Sequence, residues 1–133
     1  MTLKVPSDVL ILIVDDNEDS AWSLGVYLES CGFRTTLAPN GILALRSARE
    51  NRPDLILLDL EMPEMGGVAF RKAQVENPAL ADIPVICISG LLDAQERARA
   101  AGITSLFLKP VPLVPLLTEV QRLVGVEPAV NPA

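Results

Sequence analysis

Five short apolar runs, each followed by a segment of helical period, constrain this chain more than any other feature of its sequence. The runs are Val9–Val14, Phe33–Ala38, Leu55–Leu58, Pro84–Ile88 and Ser105–Leu108. The helical segments between and after them are Asn17–Ser30, Ile42–Glu50, Val68–Glu76, Asp93–Ala101 and Pro112–Val124. Val9–Val14 and Leu55–Leu58 are continuously apolar, as strands covered on both faces must be. Phe33–Ala38 is more polar and predicts a sheet edge. Gly32 and Gly102 supply helix stops, and Pro39-Asn40-Gly41 is a turn signal. Pro112 and Pro115 are compatible with a helix only because they fall in or before its first turn. Strict alternation of this kind predicts an α/β fold: a doubly wound parallel sheet of five strands with five helices. The 133 residues suit one domain. The expected division is an extension over 1–8, the domain over 9–125, and a frayed tail over 126–133 with two prolines and little to bury.

In sheets of this class ligands bind beyond the carboxyl ends of the strands. The first predicted strand ends at Asp15-Asp16, the third at Asp59, the fourth at Ser89 and the fifth at Lys109. Taken singly, each has an ordinary use. Asp16 suits the cap of a helix starting at Asn17, Asp59 a turn, and Ser89-Gly90 and Lys109-Pro110 are common at strand ends. The topology brings all five polar groups to one edge. Three carboxylates there repel one another, and desolvation raises the cost of ionising them. A hard cation relieves both problems, and Mg²⁺ (or Mn²⁺) suits a few carboxylates, retained water and a phosphate. With Lys109 as a point charge and Ser89 as a hydroxyl donor, the set describes a phosphoryl-transfer site with a carboxylate nucleophile.

The remaining composition excludes competitors. A formal charge of −6 argues against nucleic acid, whose phosphates need a basic surface. The chain has no histidine, which removes Ser-His-Asp and Cys-His catalysis, histidine zinc sites and a phosphohistidine carrier. Cys31 and Cys87 have neither metal spacing nor a disulfide framework, and Cys87 reads as a small core residue. No signal peptide is seen, and no apolar run approaches the ~20 residues of a membrane span. The expected setting is cytoplasmic, with no membrane partner.

Over about Asp8–Val124 the sequence resembles the receiver domain of two-component response regulators. The matching stretches are Val14-Asp15-Asp16-Asn17 and Leu58-Asp59-Leu60-Glu61-Met62-Pro63-Glu64-Met65-Gly66-Gly67, with Ser89-Gly90 and Lys109-Pro110. The resemblance implies a flavodoxin-like sheet in strand order 2-1-3-4-5. It implies that Asp59 accepts phosphate from a sensor histidine kinase or histidine phosphotransfer protein. Asp16 and Asp59 would then hold Mg²⁺ through carboxylates, Asp15 mainly through water, and Glu61 through its backbone carbonyl. Ser89 would swing toward the phosphoryl group, Lys109 would hold its charge, and the Lys109–Pro110 bond would be cis. Such a domain is a signalling module, not an enzyme, and at most phosphorylates itself from small donors and dephosphorylates itself.

Four departures stand out. Gly66 replaces a frequent Asp, Gly90 replaces a usual Ala, and Ser89–Gly102 looks about two residues short of the family's length. Leu106 stands where the family usually carries an inward-turning Tyr or Phe, and Phe107 belongs to the opposite face of the strand. The expected switch therefore works by moving the Ser89 loop and the short fourth helix, without an aromatic rotamer change. No output domain is expected after the tail, so the signal would pass to a downstream target protein or relay onward. Leu91, Leu92, Val111 and Leu113 are a candidate docking or homodimer face near the fourth helix, fifth strand and fifth helix, or simply core edge. Two alternatives are a degenerate receiver acting as an interaction module, and a haloacid-dehalogenase-like phosphatase. The latter carries its nucleophile on the first strand as Asp-x-Asp, the reverse of the order here.

Overall fold

The computed structural model describes residues 4–62 and 65–128. Five parallel strands lie in the order β2-β1-β3-β4-β5: β1 (Leu10–Val14), β2 (Arg34–Ala38), β3 (Leu55–Asp59), β4 (Val85–Ser89) and β5 (Ser105–Leu108). The helices are α1 (Glu18–Ser30), α2 (Gly41–Glu50), α3 (Gly67–Glu76), α4 (Ala94–Ala100) and α5 (Leu113–Val124). The expected doubly wound, flavodoxin-like sheet is present. β1, β3 and β4 are buried along their whole length, while β2 at one edge is largely open.

The pleat splits the apolar runs between two cores. Ile11, Ile13, Leu55, Leu57, Ile86 and Ile88 pack beneath α1 and α5, with Leu28, Leu116 and Val120. Leu12, Val14, Ile56, Leu58 and Cys87 face α2, α3 and α4, meeting Ala44, Phe70 and Ala98. Burial pushes the Cys87 thiol up to about 12, which fits its predicted role as an inert core residue. Leu106 packs on the α2-α3-α4 side and Phe107 on the α1-α5 side, as the alternation required.

Local signals set the helix starts. Asn17 caps α1 by accepting from Ser20 N at 2.9 Å, and Asn40 caps α2 by accepting from Leu43 N at 2.9 Å. Asp16 is therefore not the cap, and α1 begins one residue later than the sequence suggested. α3 starts tight against the end of β3. A Cβ on Gly67 would lie 2.6 Å from the Asp59 carbonyl oxygen and 2.7 Å from Leu60 Cα, so only glycine fits. α4 has only seven residues, in line with the shortened stretch.

One boundary needs correction. Val126, assigned by sequence to the tail, is buried and bridges Lys4 in parallel, so one strand-like contact joins the two ends of the chain. A lone apolar residue just past the α5 stop had no visible partner in sequence. The rest of the expected tail, 129–133, and the first three residues lie outside the described residues. No helix among the described residues is long and apolar enough to cross a membrane.

Candidate functional site

Asp15 and Asp16 follow β1, Asp59 ends β3, Ser89 ends β4 and Lys109 follows β5. Parallel registry carries all of them to the carboxyl edge of the sheet. One carboxylate oxygen from each of Asp15, Asp16 and Asp59 lies within 4.8 Å of the others. Lys109 Nζ stands 3.3 Å from Asp59 Oδ2 and 3.8 Å from Asp15 Oδ2. The Lys109–Pro110 bond is cis, as the resemblance implies. Lys109 N also donates to the Ser89 carbonyl at 2.9 Å, fixing the β5 end against β4.

Three polar residues at strand ends repeat one local device, in which a side-chain oxygen accepts the N–H two residues on. Asp15 Oδ1 accepts from Asn17 N at 2.9 Å, Asp59 Oδ1 from Glu61 N at 3.0 Å, and Ser89 Oγ from Leu91 N at 3.0 Å. Each turn ties the side chain to the backbone that leaves the strand. The Asn17, Glu61 and Leu91 amides were missed as functional groups by sequence reasoning, although the Asp-x-x and Ser-x-x spacing is the signal that identifies them.

The electrostatics single out Asp59, which is only 3 % exposed. Desolvation is the main force pushing its pKa up to about 6, and the neighbouring Asp15 charge adds to it. The Glu61 N–H and the Lys109 ammonium oppose the rise. Three carboxylates gathered this closely repel one another, and a hard cation relieves that repulsion. Ser89 is fully buried, and with its oxygen accepting from Leu91 it retains a proton to donate.

Asp59 and Lys109 line two cavities. One, of about 480 Å³, is polar and includes Asp16, Asn17, Glu61 and Met62. The other, of about 550 Å³, runs under the edge between α1 and the start of α5, over Ile13, Leu57 and Ile88. The polar one has the oxygen donors for a cation and space for a phosphoryl group. Among the predicted site residues, Asp15, Asp16, Asp59 and Lys109 meet directly and Glu61 lines the same cavity. Ser89 reaches the same edge but is turned to Leu91. Pro63 and Glu64 of the acceptor motif lie outside the described residues.

The four candidate docking residues differ in exposure. Leu92 and Leu113 are exposed, whereas Leu91 packs on the α2-α3-α4 core and Val111 on the α1-α5 core.

Residues 11–121 match the family model described as response regulator receiver domain. The polar-differentiation response regulator DivK of Brucella anthropi is 32 % identical over 117 residues, covering 86 % of this chain and 95 % of that protein. A signal receiver domain of a signal transduction histidine kinase from Syntrophus aciditrophicus superposes with a TM-score of 0.82 at 36 % identity, covering 92 % of this chain and 96 % of that one. The chemotaxis response regulator CheY4 of Vibrio cholerae gives a TM-score of 0.79 at 27 % identity, covering 86 % of this chain and 98 % of that one.

Proposed function

The chain belongs to the response regulator receiver family, and on that premise we propose that Asp59 is the residue that takes the phosphoryl group. The observation that carries the assignment is its placement: a buried carboxylate at the end of the central strand, paired with Lys109 and clustered with Asp15 and Asp16. The donor is a phosphohistidine on a sensor kinase or phosphotransfer protein. An Asp59 carboxylate oxygen forms the new P–O bond as the P–N bond to the donor imidazole breaks.

The donor set fits Mg²⁺ or Mn²⁺, being all oxygen and clustered within 4.8 Å. Asp16 and Asp59 would hold the ion through carboxylates, Asp15 through water and Glu61 through its backbone carbonyl. When bound, the ion neutralises charge on the phosphoryl oxygens. Lys109, now shared between Asp59 and Asp15, is placed to pair with the phosphoryl group once it is in place. Ser89 turns its hydroxyl proton toward the same group. The modified domain then signals to a downstream protein in the cytoplasm.

Incubating the chain with acetyl phosphate and Mg²⁺ tests this directly. Intact mass should rise by one phosphate, and Asp59→Ala should abolish the gain. A wild-type chain that stays unmodified would instead support an interaction module that has kept the fold and lost the chemistry.

A further inference from the structure

A buried polar network away from the acceptor site ends on α4. Gln74 of α3 is fully buried and uses each of its polar atoms. Nε2 donates to the carbonyls of Leu80 at 2.9 Å and Ile83 at 3.0 Å, in the segment leading into β4. Oε1 accepts from Arg71 Nη1 at 2.8 Å, one helical turn back. The rest of that guanidinium goes to α4. Nε donates to the Ala101 carbonyl at 3.1 Å, and Nη2 to the Gly102 carbonyl at 3.4 Å.

Burial lowers the pKa of Arg71, so its charge is held there at some cost. Among the described residues no carboxylate lies within ion-pair distance of it. What offsets the cost is the end of a helix, where unpaired carbonyls carry partial negative charge. The chain closes at this end with Gly102, at φ +73°, and with Ile103 N donating to the Ala98 carbonyl at 2.9 Å. Arg71 is a forked cap on α4, keyed in place by Gln74.

The front of α4 is held differently. Leu91 N is bonded to Ser89 Oγ at 3.0 Å, and Ala94 N reaches the Leu91 carbonyl at 3.3 Å. The seven residues of α4 thus hang between Ser89 in front and Arg71 behind. Ser89 is the group assigned above to the phosphoryl contact, whereas Arg71 does not touch the acceptor site. Leu106, beside α4 on the same face, has no ring to reorient.

We infer that Arg71, keyed by Gln74, is the pivot of the switch: phosphorylation moves the front of α4 at Leu91–Ala94 while its rear at Ala101–Ile103 stays fixed. The inference rests on Asp59 as acceptor and Ser89 as phosphoryl contact. What travels outward is the front of the helix, where Leu92 is fully exposed. Arg71 is a positioning residue in this scheme.

Amide hydrogen exchange on the full chain tests it, with and without phosphorylation by acetyl phosphate and Mg²⁺, for wild type, Arg71→Ala and Arg71→Lys. The lysine variant keeps a charge but cannot bond two carbonyls as a fork, and it serves if the alanine variant fails to fold. In wild type, phosphorylation should change exchange at residues 91–94 and leave 101–103 unaltered. In either variant the phosphorylation-dependent change should spread to 101–103, with exchange there at least about tenfold faster on phosphorylation. A residue that merely stabilised the fold would speed exchange equally in both forms and leave the difference unmoved, which would overturn the pivot. Wild-type protein that loosens at 101–103, or shows no change anywhere in α4, would overturn it too. A chain that gains no phosphate mass fails earlier, at the acceptor assignment, and takes the pivot with it.

Discussion

At the scale of single residues, the consequences concentrate on Asp59. Its pKa is raised, so the fold holds the protonated form more easily than the unfolded chain does. The sign follows from linkage: the stability associated with the protonated form is fully present below the ordinary carboxylate range near 3.8 and is lost as pH rises through about 6. Above that pH the metal-free protein carries the full cost of an ionised buried carboxylate. Asp59→Asn should therefore raise the stability of the metal-free chain at pH 7.5 by roughly 3 kcal/mol, and by much less at pH 4. Urea unfolding curves of both proteins in chelator at the two pH values check this. Equal differences at both would show that Asp59 is not desolvated as described. Lys109→Ala should push the Asp59 pKa higher still, because the ammonium at 3.3 Å is one of two groups that lower it. Carboxyl NMR titration would show the upward displacement.

At the scale of elements, the join between β3 and α3 is the tightest point near the site. Gly67→Ala forces a methyl to within 2.6 Å of the Asp59 carbonyl oxygen. Relief has to come from the backbone that aims Asp59. A loss of about 1–3 kcal/mol is expected, as for overpacked sites generally. Acetyl phosphate labelling at Asp59 should slow as well, and an unchanged rate would show that the acceptor loop absorbs the methyl without moving. Much of this element level was legible. The apolar runs and helix-period segments gave five strands and five helices with ends displaced by a residue or so, because hydrophobic period and stop residues are local signals. Helix starts were less legible: both Asp16 and Asn17 are good caps, and only the packed turn shows that Asn17 takes the role. The Gly67 contact was invisible for the same reason, since Gly66 and Gly67 look alike until α3 docks.

At the scale of the whole molecule, the proposed cation site at the acidic edge has a consequence for stability. Adding Mg²⁺ should stabilise the folded chain with the logarithm of its concentration, by about 2.7 kcal/mol at a hundred times Kd, and raise the thermal midpoint accordingly. Asp16→Ala should abolish most of that rise by removing one carboxylate of the cluster, at little cost to baseline stability because Asp16 is exposed. Differential scanning fluorimetry across a Mg²⁺ series separates the two. A variant that responds as wild type does would remove Asp16 from the cation site.

What the sequence by itself determined was the class of fold and the identity of the polar set. Alternating periods force a parallel sheet, and a parallel sheet gathers the residues at its strand ends. Asp15, Asp16, Asp59, Ser89 and Lys109 could thus be read as one site before any distance was known. Only the tertiary structure decided how those residues stand toward each other: Lys109 shared between two carboxylates, Ser89 turned to Leu91, and Asp59 desolvated enough to titrate near 6. It alone joined Val126 to Lys4 and set Arg71 against the end of α4. The physical reason is range. Period, turn chemistry and capping act over a few neighbouring residues, whereas burial, pairing and the far end of a long side chain depend on what the fold brings together.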